Sequence, residues 1–201
     1  DRAVRDGLDA IEGAIAANSS WDRRPTIAHI QVIHPADLSR FGSLGVIANG
    51  QPVWALHERQ MDVLTIPFLG AERTGWQYPF GSLLRAGARL AFGSDWAVST
   101  ANPLIEMEVA VRRTSVTHRD APAFLPAERI SLEAAVRAFT MGSAYVNGLE
   151  AETGSITVGK LADLVVLDRD LFAPDVLPAD ARALLTLVEG EPVFEDAALE
   201  G

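Results

Sequence analysis

Val4, Leu8, Ile11 and Ile15 recur every three or four positions with charged and small residues between them, the spacing of a helix that buries one face. Asn18, Ser19 and Ser20 break that pattern. Thr26 to Ile33 (TIAHIQVI) is an apolar run of strand length, as expected in a sheet covered on both faces. Pro35 to Phe41 predicts a helical turn or two, and Gly45 to Asn49 a second buried strand. Helix, strand, helix, strand in that order predicts a parallel α/β sheet. Gln51 to Tyr78 reads as a long, irregular, aromatic loop, a type often used as a lid or binding loop.

The alternation continues with a helix from Phe80 to Ala88 and a strand from Arg89 to Asp95. Asn102 and Pro103 supply a cap and a first-turn proline for a helix to about Arg113, with Leu104, Met107 and Val111 on its buried face. Ser131 caps another, whose Leu132, Val136, Phe139, Ser143 and Val146 share a face before Asn147-Gly148 stops it. From Gly154 the rhythm shifts to short strands: Ser155 to Val158, Asp163 to Asp168, Leu184 to Val188 and Val193 to Glu195. Glu189-Gly190-Glu191-Pro192 forms a hairpin between the last two. A boundary is therefore expected near residue 150, with an α/β unit over 1–150 and a small β unit over 151–201.

Composition narrows the classes. Hydrophobic residues at 48% and charged residues at 22% allow a real core. The net charge of -10, with no stretch that interleaves basic and aromatic residues, argues against nucleic acid and anionic membranes as partners. No apolar run approaches the ~18 residues of a membrane span. The absence of cysteine removes disulfides, thiolate zinc sites and thiol nucleophiles. A chain of 201 residues is also shorter than the ~250 of a complete (β/α)8 barrel.

Two residues carry candidate chemistry. Strand alternation puts His29 on one face with Ile27, Gln31 and Ile33; it reads either as a core histidine bonded to a backbone carbonyl or as a metal ligand. Asp95 ends the third strand above Gly93 and Ala91, where parallel α/β folds build their sites; it reads either as a turn cap or as a functional carboxylate. Together they offer an imidazole and a carboxylate, a donor set for Zn²⁺ and similar ions. Two other motifs fail. Gly154 to Leu161 has the glycine and lysine spacing of a phosphate loop, but Leu161 replaces the hydroxyl and a strand follows. His57-Glu58 starts a zinc-protease helix motif, yet Met61 stands where the second histidine belongs. No G-x-S-x-G elbow supports serine-hydrolase chemistry. His34 falls on the face opposite His29, and His118 reads as solvated.

The run Gly154 to Asp168 (GSITVGKLADLVVLD) resembles the stretch that returns amidohydrolase-superfamily chains from barrel to small β-sandwich. Ala28 to Pro52, Gly87 to Val98 and the Asn-Pro-Leu helix start at Asn102 are similar to amidohydrolase family 3, the branch of the YtcJ-like proteins and N-substituted formamide deformylases. The resemblance implies the carboxyl-terminal part of a TIM-like (β/α)8 metal-dependent hydrolase barrel, strands six to eight, plus part of a β-sandwich. It implies that His29 binds metal at strand six, and that Asp95 at strand eight binds metal and moves the proton. Ala28 stands where the family often has Glu, and Ala97 where it often has Pro. The implied reaction is hydrolysis of an amide or related C-N bond of a small molecule, with a divalent metal, zinc first, as cofactor. Trp54, His57, Trp76 and Tyr78 are the expected substrate wall. The family's remaining ligands have no counterparts here, so the amino-terminal half of the barrel is the expected partner and the chain alone is expected to be inactive. The rival expectation is a non-catalytic metal-binding or scaffold relative. A cytoplasmic location and a homo-oligomer complete the expectations.

Overall fold

The computed structural model describes residues 1–199, so residues 200 and 201 of the expected 151–201 unit lie outside the described residues. Helix α1 (Arg2–Ala17) starts where Asp1 accepts the Arg2 amide, and it buries Val4 and Leu8 as the spacing requires. Strand β1 (Thr26–Ala28), the short helix α2 (Leu38–Ser43), strand β2 (Ile47–Gly50), helices α3 (Ile66–Thr74) and α4 (Phe80–Arg85), and strand β3 (Arg89–Phe92) follow. The three strands form one parallel sheet in the order β1-β2-β3, with Ala28 level with Asn49 and Asn49 level with Ala91. Helices α5 (Pro103–Arg112), α6 (Leu132–Arg137) and α7 (Ser143–Val146) pack outside it. The core gathers Leu8, Phe41, Ala48, Phe80, Leu90 and Phe92 from these layers. Strands β4 (Leu164–Leu167), β5 (Ala183–Val188) and β6 (Glu191–Glu195) form a separate antiparallel sheet.

Four expectations are corrected. The strand expected over Thr26 to Ile33 stops at Ala28, because His29 and Ile30 take positive φ of 64° and 45°. That bend redirects the chain. Val32 bridges Gln77, the Tyr78 amide donates to the Gln31 carbonyl at 2.8 Å, and the Ile33 amide donates to Trp76 at 3.2 Å. Alternation thus fails at the bend, and His29 is exposed rather than buried. The segment Gln51 to Tyr78 is not irregular throughout: a short turn over Pro52–Trp54, a wide turn over Met61–Thr65 and α3 occupy much of it. Ser155 to Val158 forms no strand; Ile156 and Val158 are almost wholly exposed and pair with no strand among the described residues. The hairpin turn is narrower than expected. Glu189 and Gly190, at φ 52° and 87°, make a two-residue turn, and Pro192 already belongs to β6, the geometry that suits paired left-handed residues.

Ser131 and Asn102 cap α6 and α5 through their side chains, as the sequence predicts. Between α6 and α7 lies a wide π turn, Ala138–Gly142. Its extra residue rotates the buried face, so Ala135, Ala138, Gly142 and Ala144 are buried while Leu132, Val136 and Phe139 pack at the margin.

Candidate metal centre

His29 follows the last residue of β1, and Asp95 lies three residues beyond the end of β3. Both therefore leave the carboxyl edge of the parallel sheet, on either side of β2. Neighbouring strands lie ~4.8 Å apart, which separates the axes of β1 and β3 by about 10 Å at that edge. Both residues take positive φ, 64° and 59°, so each chain turns sharply where it leaves its strand.

The Asp95 carbonyl, not its side chain, accepts the amides of Val98 and Ser99 at 2.7 and 3.2 Å. Its backbone thus makes the turn that a capping side chain would have made. The carboxylate is left for another partner: Trp54 donates its indole Nε1 to Oδ2 at 3.3 Å. His29 makes no side-chain hydrogen bond among the described residues, so its ring nitrogens are open to a ligand. Among the described residues no group of three or more His, Asp or Glu converges to hold a metal ion. An imidazole and a carboxylate fit a zinc-type donor set in kind, and two is one short of the usual three protein ligands.

The other expected residues go elsewhere. His57 is exposed, with Nδ1 2.6 Å from Asp62 Oδ1 and its ring edge-on to Phe124 at 5.1 Å. Trp76 packs edge-on to His34, ring centres 4.8 Å apart. Tyr78 is buried beside Phe80, and burial pushes its phenol above the usual range. Trp54 is the member of the four whose polar atom touches Asp95.

Sequence reasoning missed Glu106. It sits on α5, fully buried, and neither carboxyl oxygen has a hydrogen-bond partner among the described residues. Burial is the main cause that pushes its pKa up to about 8; the Val53 amide pulls the other way without closing a hydrogen bond, and the Asp95 charge adds to the rise. Gln51 is its counterpart on the turn after β2: buried, with Nε2 donating to Asn49 at 3.2 Å and Oε1 unpartnered. The clue in the sequence was an acidic residue flanked by Ile105 and Met107 in a helix otherwise rich in apolar side chains.

A parallel sheet whose strands end toward a histidine and an aspartate belongs to the α/β class, in which sites are built beyond the carboxyl ends of the strands. The chain belongs to the amidohydrolase family, matching its family 3 over residues 1–194. It is 38% identical to the Protein LONG AFTER FAR-RED 3 of Arabidopsis thaliana over 191 residues, which is 93% of this chain and 31% of that protein. It is 39% identical to the N-substituted formamide deformylase of Arthrobacter pascens over 93 residues, 46% of this chain and 17% of that protein. The fold is similar to an uncharacterized metal-dependent hydrolase from Pyrococcus furiosus, with a TM-score of 0.62 and 29% identity over 85% of this chain and 32% of that one. The chain thus spans about a third of the length of the Arabidopsis protein and of the Pyrococcus structure.

Proposed function

We propose that this chain is part of a metal-dependent hydrolase that cleaves a C-N bond of a small amide-like substrate with water. The observation that carries the reading is the pairing of an open imidazole, His29, with a turn-free carboxylate, Asp95, at one edge of a parallel sheet in an amidohydrolase-family chain. In this reading β1, β2 and β3 are barrel strands six to eight, and β4 to β6 belong to a composite β-sandwich. His29, through a ring nitrogen, and Asp95 are the residues that would hold a divalent metal, zinc by the character of the donors; such an ion would make a nearby water more acidic, with pKa toward ~7, and polarise the scissile carbonyl. Asp95 would take the attacking water's proton and return it to the leaving nitrogen. Trp54 donates to Oδ2 of Asp95 and so restrains the carboxylate's orientation.

The test is metal analysis of the full-length protein beside hydrolysis of a panel of N-formyl and N-acyl amines. His29→Ala is expected to lose most of the bound metal, and Asp95→Asn to stay folded with hydrolysis near background. Hydrolysis undiminished in Asp95→Asn would falsify the reading. A second statement belongs to the same reading: the chain spans about a third of the length of the relatives it matches, and the 201-residue chain by itself is expected to turn nothing over. Turnover by the purified chain alone would overturn it.

A further inference from the structure

The amino-terminal ends of β2 and β3, opposite the edge that carries His29 and Asp95, border a cavity of about 440 Å³. Phe41, Leu90 and Met141 give it apolar walls, and Arg89, Arg137 and Tyr145 give it a cationic side. Its volume lies within the ~300–1,000 Å³ of small-molecule pockets.

The charges around it are unequal. Arg24 is fully engaged: it grips both oxygens of Glu150 at 2.6 Å and reaches Asp22 at 2.7 Å. Its guanidinium lies 4.1 Å from the centre of the Tyr145 ring. The guanidinium of Arg89 lies 3.7 Å from the same ring and makes no ion pair among the described residues. Glu150 is close enough to feel Arg89 but spends both oxygens on Arg24. Arg137, at the exposed end of α6, likewise has no ion pair or side-chain hydrogen bond among the described residues. In a chain with a net charge of -10, two uncommitted guanidinium groups on one cavity mark a local reversal of sign.

We propose that this cavity binds a phosphate monoester with an apolar body. Two guanidinium forks match the geometry and charge of a dianionic phosphate. Tyr145 holds Arg89 in place by stacking, which lowers the entropy lost when it grips the ligand. The apolar body lies against Phe41, Leu90 and Met141. The site is distinct from the metal centre, so a compound bound here does not compete with the substrate for His29 or Asp95.

The experiment is calorimetric titration of the full-length protein with three probes: phenyl phosphate, inorganic phosphate and benzyl alcohol. Phenyl phosphate is expected to bind more tightly than either fragment. Arg137→Ala and Arg89→Ala are each expected to weaken it about 10- to 100-fold, the loss of charge-assisted hydrogen bonds. Arg59→Ala, an exposed arginine elsewhere, changes it less than about two-fold if charge alone is not the cause. Thermal melts accompany each variant. Arg89→Ala also removes the stack on Tyr145, so if it fails to fold, Arg137→Ala and its charge-retaining partner Arg137→Lys decide. No binding of phenyl phosphate, unchanged binding in a folded Arg137→Ala, or an equal loss in Arg59→Ala overturns the proposal. Inorganic phosphate binding as tightly as phenyl phosphate overturns the apolar half of it.

Discussion

Trp54 Nε1 donates to Asp95 Oδ2 across 3.3 Å, tying the turn after β2 to the turn after β3. An aromatic residue expected to touch substrate therefore orients the proposed proton-handling carboxylate. Trp54→Phe keeps the ring area and removes the donor. In the full-length protein this is expected to lower kcat about five-fold, worth about 1 kcal/mol for a long charge-assisted bond, with KM little changed. Steady-state kinetics checks the split. A raised KM at constant kcat would instead make Trp54 a substrate contact.

Glu106 gives the fold a pH dependence of unusual sign. Its pKa rises to about 8 in the folded chain because of burial, helped by Asp95, whereas an unfolded glutamate titrates near ~4.3. Between those values the folded chain binds one more proton than the unfolded chain, so stability falls as pH rises through that window and levels off above it. Glu106→Gln keeps the shape without the charge. With a chelator present, to remove any cation from Asp95, the variant is expected to melt several degrees above the parent at pH 9 and close to it at pH 5. An unchanged pH slope in Glu106→Gln removes the assignment.

Much of the layout was legible because local chemistry and global packing agree. Val4 and Leu8 bury the face their spacing marks, Asn102 and Ser131 cap the helices they precede, and β1 to β3 pair in parallel as their alternation with helices implies. The misses share a cause: backbone conformation that hydropathy does not encode. His29 and Ile30 adopt left-handed φ that neither residue type advertises, which ends a strand whose apolar run continues. Ile156 and Val158 look like strand residues and pair with no strand among the described residues. At the candidate site, Asp95 was legible as a carboxylate near a strand's carboxyl end, whereas alternation placed His29 inside a longer strand and the structure puts it just past the end of β1. The Trp54 hydrogen bond and the buried Glu106 were not legible, because each depends on contacts between β2 and β3 turns or between α5 and the turn after β2.

Arg113 ends α5 with its side chain wholly buried. Nε donates to the Phe124 carbonyl at 2.9 Å and Nη1 to the Tyr78 carbonyl at 3.1 Å, with the Phe80 and Phe124 rings alongside. Burial lowers its pKa to about 10, still charged at neutral pH. Arg113→Met fills most of the volume but leaves the Phe124 carbonyl without a donor, whereas the Tyr78 carbonyl keeps the Phe80 amide at 2.8 Å. The expected cost is about 1–3 kcal/mol, a fall in Tm of a few degrees or more. Arg113→Lys, whose ammonium can still reach a carbonyl, falls between. Thermal melts of the three proteins check the order; a Met variant as stable as the parent would show that the Phe124 carbonyl finds water.

Gly142 shows why a helical glycine can be indispensable. In an exposed helix, Gly→Ala stabilises by up to ~1 kcal/mol through propensity alone. Gly142, however, lies in the π turn between α6 and α7 and is buried against β3. A Cβ built there would overlap the Leu90 carbonyl oxygen and come within 3.1 Å of the Ala91 Cα. Both obstacles are backbone, so no rotamer change relieves them. Ser143 donates its hydroxyl to the Phe92 carbonyl at 2.7 Å, which pins the helical segment to the same strand. Gly142→Ala must therefore push the turn away from β3, the strand that leads to Asp95. The expected cost is about 1–3 kcal/mol, as for overpacked cores, outweighing the propensity gain. Gly13→Ala provides the control, because a Cβ there meets nothing and α1 exposes it. Denaturant melts should move the two variants in opposite directions; a shared direction would mean that β3 yields to the added methyl.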